Sequence, residues 1–326
     1  MSTASAFKGK PVVALCGGVG GAKLALGLNR LIGADLTIIV NTGDDFEHLG
    51  LHVSPDIDTV VYTLGGLSDV ERGWGRADET WNFMASLGDL GGETWFRLGD
   101  RDLAMHVERT QALRGGTTLT EFTTAMARRL GIAATLLPMS DDRVETMVMT
   151  ADGPLPFQRY FVGLQCAPVV QRLEFKGAER AVATQQVLSA LRHPDLAAVI
   201  ICPSNPYLSV DPILAVADIR KALDAVKAPI VAVSPLIGGQ AVKGPTAKIM
   251  AELGLPADSV TIARHYPFLS GLIIDETDRE EADKIEMPVH VASTWMRSFE
   301  DRDRLAAECL KFAAQLSIVR KGESAA

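Results

Sequence analysis

An apolar stretch followed by four closely spaced glycines constrains the fold of this chain more than any other feature. Residues 12–15 are apolar, and a helical spacing of leucines resumes at Leu24. Between them lie Gly17, Gly18, Gly20 and Gly21. This order predicts a strand, a glycine turn and a helix. Backbone N–H groups of such a turn approach a ligand closely, and the helix N-terminus favours negative charge, so the turn suits a phosphate.

Four carboxylates follow in the next two predicted loops. They are Asp44, Asp45, Asp56 and Asp58. The first two come after a predicted buried strand at residues 36–40, and the others precede a predicted helix at residues 59–64. In an open α/β sheet, ligands bind outside the carboxyl ends of the strands, where both loops emerge. Carboxylates beside a phosphate repel one another unless a cation lies between them, and Mg²⁺ is the usual ion. The sequence therefore predicts metal-assisted phosphoryl chemistry.

Two familiar nucleotide motifs are absent from the glycine turn. A Walker A loop needs Lys and then Ser or Thr directly after its last glycine, whereas Gly21 is followed by Ala22, Lys23 and Leu24. The dinucleotide fingerprint fails as well, because Lys23 stands where its third glycine belongs. An ordinary P-loop enzyme or nicotinamide oxidoreductase is not indicated. For the turn taken alone, a tight βα connection without a ligand is the remaining alternative.

Charge and hydropathy exclude several classes of partner. The formal net charge is −8 and no Lys/Arg cluster is evident, which argues against nucleic acid. No apolar run approaches ~18 residues, and the first ten residues lack the apolar core of a secretory signal, so we expect a cytoplasmic protein without membrane contact. The four cysteines show no C-x-x-C pair, which indicates neither zinc nor a disulfide framework.

The order of predicted elements indicates an α/β fold. Strands and helices alternate before residue 65 and after residue 185, whereas residues 132–175 hold β-type segments, including 146–150 and 159–162, with no helix between them. We expect these segments to pair antiparallel. The prediction is a Rossmann-like, mostly parallel sheet flanked by helices, formed by residues 1–64 and 186–326, with an inserted α+β subdomain at residues 65–185.

Two further stretches are candidates for the site. The predicted strand at residues 196–201 ends before Ser204 and Asn205, whose donors and acceptors suit a base or ribose, although local turn bonds explain them equally well. Residues 95–102 place Arg97 among aromatic and acidic residues. A solvated, salt-bridged turn is the simpler interpretation of that charge run, unless Arg97 faces the same pocket.

Several blocks in one order resemble the 2-phospho-L-lactate transferase family, which builds coenzyme F-420. The blocks are GGVGGAKLALGL, VNTGDDFEHLGLHVSPDIDTVVYTLGG, ETWFRLGDRDLAMHVERT, LPMSDD, PSNPYLSV and AVSPLIGGQAVKGP. The resemblance implies a Rossmann-like core with an insertion that helps to form the acceptor pocket, a Mg²⁺-dependent site and a homodimer. It also implies transfer of a phospho-acid unit from a guanosine diphosphate-activated donor to the terminal hydroxyl of the deazaflavin Fo, with release of GMP.

The same resemblance implies roles for individual residues. Asp58 and Arg97 match positions that contact Fo. The donor nucleotide and the metal match positions at Gly17, Gly18, Val19, Gly20, Gly21, Asp44 and Asp45. Asp58 would orient or deprotonate the attacking hydroxyl while Asp44 and Asp45 hold the metal, and an exchange of roles that makes Asp44 catalytic is equally compatible. The donor acid stays open among lactate, enolpyruvate and glycerate, because pockets discriminate such small groups weakly.

Two other functions remain as alternatives. A related subfamily of nucleotide-sugar-binding regulators shares the glycine loop without known phosphoryl transfer, but the loop at Ser204 and Asn205 and the block from Arg97 to Asp102 resemble the transferase. A nicotinamide oxidoreductase is disfavoured by the missing third glycine.

Overall fold

The computed structural model describes residues 7–323, with side chains to residue 318. Its fourteen strands in this range are β1 Val12–Cys16, β2 Leu36–Val40, β3 Phe46–His48, β4 Leu51–Val53, β5 Thr135–Pro138, β6 Glu145–Thr150, β7 Gly153–Pro156, β8 Arg172–Lys176, β9 Ala198–Ile201, β10 Ile230–Val233, β11 Leu236–Ile237, β12 Gln240–Ala241, β13 Gly271–Asp275 and β14 Val289–Ala292. Its α-helices are α1 Gly18–Ile32, α2 Pro55–Leu64, α3 Asn82–Asp89, α4 Asp102–Arg114, α5 Leu119–Arg129, α6 Gln185–Leu191, α7 Asp211–Ala215, α8 Ala217–Asp224, α9 Thr246–Glu252, α10 Ser259–His265 and α11 Phe299–Glu323.

Seven strands form one sheet in the order β14-β13-β10-β9-β1-β2-β5, and every neighbouring pair is parallel. The central strands are apolar and buried along their whole length, as expected for a sheet covered on both faces. Alternate residues of β1 point to opposite faces: Val12 and Ala14 join one apolar cluster, and Val13 and Leu15 join the other. The predicted α/β class with a mostly parallel sheet is confirmed.

Helices cover both faces of the sheet. The helices α1, α2, α5 and α11 contribute to the cluster that contains Val12, and α6 to α10 contribute to the cluster that contains Val13. The helix α5 begins at a capping box in which the Thr118 hydroxyl and the Glu121 side chain each accept from the other residue's backbone N–H. A capping box of this kind is a local sequence signal for the start of a helix.

The antiparallel sheet predicted in residues 132–175 is present, but one of its predicted members is helical. The strands β7, β6 and β8 pair antiparallel in that order. The prediction of a β segment at residues 159–162 is wrong, because Arg159–Gly163 forms a π-helical turn. Phe157 and Phe161 lie four residues apart and their rings stack with centroids 5.3 Å apart, a contact that a helical turn permits and an extended strand does not.

The segment at residues 65–185 is tied into the main sheet. Its strand β5 pairs with β2, with Thr37 opposite Thr135, and forms one edge of the sheet. Residues 1–6 and 324–326, which belong to the predicted core, lie outside the described residues. The division into core and insertion stays a prediction. Within residues 7–323, none of the helices combines the length and apolar character that a membrane crossing requires.

Candidate active site

A cavity of about 730 Å³ opens at the carboxyl ends of the parallel strands. Residues that follow five different strands line it: Gly17 after β1, Asp44 after β2, Ser204 after β9, Ser234 after β10 and Thr294 after β14. The first turn of α2 and the start of α4 add Asp58 and Asp102. This position is where parallel α/β sheets bind ligands, because the connecting loops converge there.

The glycine turn is fixed mainly by its neighbours in the protein. The backbone N–H of Gly17 donates to Ser204 Oγ at 3.1 Å, and that of Gly18 donates to Asp56 Oδ1 at 2.7 Å. A Cβ at Gly20 would lie 2.5 Å from the Pro203 carbonyl oxygen, and one at Gly21 would lie 2.5 Å from Ser204 Oγ. The glycines are therefore required by close packing between the turn and the loop after β9.

The next two residues of the turn, Val19 and Gly20, lie in the first turn of helix α1. The helix α1 begins at Gly18, which has a φ of +63° that disfavours residues with a side chain. The first four N–H groups of an α-helix have no intrahelical acceptor, so those of Val19 and Gly20 remain available for a ligand. Both residues line the cavity, whereas Gly21 is buried and does not. An anion at this position would also gain from the helix dipole.

Asp44 and Asp56 form a pair of buried carboxylates on the cavity wall. Asn41 Nδ2 donates to Asp44 Oδ1 at 2.8 Å and to Asp56 Oδ2 at 2.9 Å, so both acids share one neutral donor. Burial raises the pKa of Asp56 to about 6, although its bonds from Asn41 and Gly18 act to lower it. Burial and the charge of Asp56 raise the pKa of Asp44 well above its ordinary value. Neither acid has a cationic partner among the described side chains.

Asp45 lies behind this pair. Its Oδ2 accepts from Ser54 Oγ at 2.7 Å and lies 3.2 Å from His52 Nε2, and it does not line the cavity. Its Oδ1 is buried and finds no hydrogen-bond partner in the described part of the chain. The residue that joins Asp44 on the cavity wall is Asp56, which the sequence placed among the four acids without giving it a role.

The residues present fit a hard divalent cation. Two buried carboxylates that lack a positive partner and repel each other are stabilised when a cation binds between them. Oxygen donors of this type are the ligands that Mg²⁺ uses, together with substrate phosphates. Asp44 and Asp56 supply such donors beside the N–H groups of the glycine turn.

Asp58 belongs to a different cluster, which contains a buried arginine. Both of its oxygens accept from the fully buried Arg109 guanidinium, one of them at 3.1 Å from Nη1. His106 lies between two acids, with Nδ1 3.7 Å from Asp58 Oδ2 and Nε2 3.4 Å from Asp102 Oδ2. The Tyr62 hydroxyl donates to Asp102. Burial raises the pKa of Asp58, and the charges of Arg109 and His106 oppose that rise.

Asp58, Asp102 and His106 also bring ligand-type atoms within 4.8 Å of one another. Asp58 in this group is already paired with the cation of Arg109, whereas Asp44 and Asp56 have no such partner. Arg109 was not predicted from the sequence, and His106 was predicted to have no role. A signal was available, because Asp102, His106 and Arg109 are spaced by four and three residues and share one face of α4.

Aromatic side chains form part of the cavity wall. They are Trp74, Trp95, Phe96, Phe157 and Phe161. Arg97 lines the cavity beside them, and its guanidinium carbon lies 4.2 Å from the centre of the Trp81 ring. A flat conjugated ring system fits between such side chains, since aromatic faces favour stacked or edge contacts. Arg97 thus faces the same pocket as the acids.

Ser204 and Asn205 differ in how they use their polar atoms. Ser204 is committed to the glycine turn, since its Oγ also donates to the Gly17 carbonyl at 2.8 Å. Asn205 Oδ1 accepts from the N–H groups of Tyr207 and Leu208 and begins the next helical turn. Asn205 Nδ2 is buried and has no partner within residues 7–323, and the residue lines the cavity.

Comparison with known proteins gives the family directly. Residues 12–308 match the family described as 2-phospho-L-lactate transferase CofD. The chain belongs to this family. It is 42% identical over 284 residues to a "Phosphoenolpyruvate transferase" of Kitasatospora aureofaciens, a match that covers 84% of this chain and 88% of that protein. It is 38% identical over 316 residues to a protein of the same name from Streptomyces coelicolor, covering 94% and 98% of the two chains.

The chain is therefore a transferase enzyme. Its family and the names of these relatives support a role in coenzyme F-420 biosynthesis. A crystal structure of a UPF0052 family protein from Bacillus halodurans matches with a TM-score of 0.60 at 15% identity. That match covers 92% of this chain and 98% of the other. A likeness at this identity shows the shared α/β fold.

Proposed function

We propose that this CofD chain transfers a phosphoenolpyruvate unit from a guanosine diphosphate-activated donor to the terminal hydroxyl of Fo, releasing GMP. The name of the relatives, phosphoenolpyruvate transferase, favours enolpyruvate as the donor acid over lactate or glycerate. The hydroxyl oxygen attacks the phosphorus that bears the acid, the bond from that phosphorus to the bridging oxygen breaks, and GMP leaves with that oxygen. The hydroxyl proton passes to a carboxylate of the site.

One observation carries this proposal: a single cavity brings together N–H donors of a glycine turn, two carboxylates without a cation and one carboxylate held by a buried arginine. Phosphoryl transfer spreads negative charge over the phosphoryl oxygens, so positioned N–H donors and cations matter more than a covalent intermediate. The N–H groups of Val19 and Gly20 would bind those oxygens. Mg²⁺, which Asp44 and Asp56 would hold with Asp45 behind them, supplies positive charge to the same oxygens when it is bound.

Asp58 is the residue we assign to the attacking hydroxyl. Arg109 holds its carboxylate in one orientation, so an oxygen of Asp58 can accept the hydrogen bond of the Fo hydroxyl and align its lone pair. Arg97 and the aromatic wall would hold the deazaflavin ring, and Asn205 Nδ2 would donate to the nucleotide. The alternative assignment makes Asp44 the base. The activity of the Asp58→Asn variant, described below, distinguishes the two assignments.

The test is direct assay of the purified protein with Fo, Mg²⁺ and each guanylated donor, following GMP release. We expect turnover with the enolpyruvyl donor and none when Fo or Mg²⁺ is omitted. Turnover with the lactyl or glyceryl donor alone would reassign the acid. Absence of GMP release with all three donors would favour a nucleotide-sugar-binding regulator. The homodimer is part of the proposal, and sedimentation equilibrium should give twice the mass of the chain.

A further inference from the structure

A small recess beside the main cavity is surrounded by three cations. It has a volume of about 50 Å³ and shares Val19, Thr59, Tyr62 and Trp74 with the main cavity. Lys23, Lys243 and Arg302 border it. They come from α1, from the loop after β12 and from α11, so three separate parts of the chain bring positive charge to one point. The whole chain has a formal net charge of −8, so the recess is a local concentration of positive charge in an acidic protein.

None of the three cations is paired with a carboxylate among the described side chains. Lys23 Nζ donates to the Met296 carbonyl at 3.0 Å, and Lys243 Nζ lies 3.5 Å from the Gly73 carbonyl oxygen. Asp69, the one acid that borders the recess, is bound to Arg72 at 2.9 Å.

Arg302 is the least satisfied of the three. Its side chain is only 5% exposed, its guanidinium carbon lies 4.7 Å from the centre of the Phe299 ring, and its Nε has no hydrogen-bond partner within the described part of the chain. The neighbouring Asp303 is bound to Arg30 instead, at 2.9 Å.

The electrostatics of the cluster favour a bound anion. Burial lowers the pKa of Lys23, and the charges of Arg302 and Lys243 lower it further. Burial likewise lowers the pKa of Arg302. A buried cation without a counter-charge destabilises the folded protein, and an anion that bonds to all three side chains removes both the repulsion and the unmade hydrogen bond.

We propose that Lys23, Lys243 and Arg302 form a subsite for one oxyanion of the donor, either the carboxylate of its acid or a phosphate group. Lys23 and Lys243 also line the main cavity, and a recess of about 50 Å³ suits a compact oxyanion better than a base or a sugar. Its position next to Val19 places this anion beside the N–H donors of the glycine turn. The assignment to the donor rests on the proposed function, whereas the anion site itself rests on the cluster.

Isothermal titration of the full chain with phosphoenolpyruvate, GDP and GMP, each in Mg²⁺, tests the subsite. The variants are Lys23→Gln, Lys243→Gln and Arg302→Gln. Lys176→Gln and Arg192→Gln are matched controls, which remove the same charges at exposed positions away from the recess. Each subsite variant should raise the dissociation constant of the anion that it contacts about tenfold, the value of one charge-assisted hydrogen bond. The dissociation constants of the controls should stay within twofold of wild type.

The pattern of losses identifies the anion. Phosphoenolpyruvate carries both a phosphate and a carboxylate, so inorganic phosphate is titrated beside it. Weaker binding of phosphoenolpyruvate with unchanged binding of inorganic phosphate, GDP and GMP assigns the carboxylate, whereas weaker binding of GDP with unchanged GMP assigns the terminal phosphate. Unchanged binding of all four ligands in the two lysine variants overturns the subsite, even if Arg302→Gln does not fold. The turnover assay separates this subsite from the proposed function. If anion binding depends on the cluster but no GMP is released, the subsite stands and the transferase proposal fails. If all three variants turn over normally, the transferase proposal stands and the subsite fails.

Discussion

Asp56 and Asp58 lie two residues apart in the first turn of α2, both buried on the wall of one cavity, yet their partners differ in kind. Asp56 accepts from neutral groups, the N–H of Gly18 and the amide of Asn41. Asp58 accepts from the guanidinium of Arg109. Neutral donors leave the negative charge of a buried carboxylate without a counter-charge. A guanidinium neutralises that charge and also fixes the orientation of the carboxylate as a hydrogen-bond acceptor. The difference between their partners favours separate tasks for two acids of one motif: in the proposed function, Asp56 acts toward a cation and Asp58 toward a substrate hydroxyl.

The largest effect is expected from Asp58→Asn. The amide keeps the shape and one acceptor for Arg109 but loses the charge that attracts the proton of the hydroxyl. Loss of a general base costs about 10²- to 10⁴-fold in rate, and we expect kcat for GMP release to fall in that range. Circular dichroism spectra and gel filtration provide the control for folding. Activity close to wild type would remove Asp58 from the chemistry and favour Asp44 as the base.

The Arg109→Met variant should lose stability. Methionine leaves Asp58 buried without its counter-charge, and breaking a buried ion pair from one side costs about 3–5 kcal/mol. Urea unfolding measures the change in the free energy of unfolding. The double variant Asp58→Asn with Arg109→Met should recover part of the loss, because no lone buried charge remains. A single variant that is as stable as wild type would show that the pair is not buried as described.

The pH dependence of stability tests the assignment of Asp56 as a carboxylate without a balancing charge. Because burial raises the pKa of folded Asp56 from its ordinary value near 4 to about 6, the folded state binds the extra proton between these values. Stability of the metal-free protein should therefore fall as pH rises from about 4 to about 6, by on the order of 3 kcal/mol, and Asp44 and Asp58, whose pKa values burial also raises, add in the same direction. In Asp56→Asn the fall should be smaller, and the metal-free variant should be more stable than wild type at pH 7.

The control for this experiment is saturating Mg²⁺. The ion should reduce the loss of wild-type stability across the same pH range and have little effect on Asp56→Asn. Equal pH profiles for wild type and Asp56→Asn, measured by urea unfolding in chelator, would contradict the assignment of Asp56 as an unbalanced carboxylate.

The smallest effect is expected at Asn205. Serine can keep the capping oxygen for Tyr207 and Leu208 but lacks the Nδ2 donor. We expect Asn205→Ser to weaken GMP binding about fivefold, the value of one neutral hydrogen bond. Equilibrium titration gives the dissociation constant. An unchanged constant would show that the amide does not face the nucleotide and that Asn205 serves the turn alone.

The parts of the fold that depend on local sequence were predictable, and those that depend on distant packing were not. The glycine turn after β1 and the capping box at Thr118 follow from neighbouring residues. The pairing of β5 with β2 joins residues about 100 positions apart, which no local pattern encodes. The π-helical turn at Arg159–Gly163 was missed because its β-type composition outweighed the four-residue aromatic spacing.

The site divides in the same way. The acids and glycines were found because they follow predicted strands, where loops of a parallel sheet converge. Arg109 was missed because its partner Asp58 lies 51 residues earlier and only the packing of α4 brings them together. Asp45 at the metal stays a prediction, but it contacts Ser54 and His52 and does not line the cavity as Asp44 does, a difference that two adjacent identical residues cannot reveal in sequence.

The most direct test is a crystal structure with Mn²⁺ and GDP, in which anomalous scattering locates the metal. The account predicts one peak within about 2.1 Å of oxygens of Asp44 and Asp56, with phosphate oxygens of GDP on its other side next to the N–H groups of Val19 and Gly20. A peak between Asp58, Asp102 and His106 instead, or GDP bound away from the glycine turn, would contradict it.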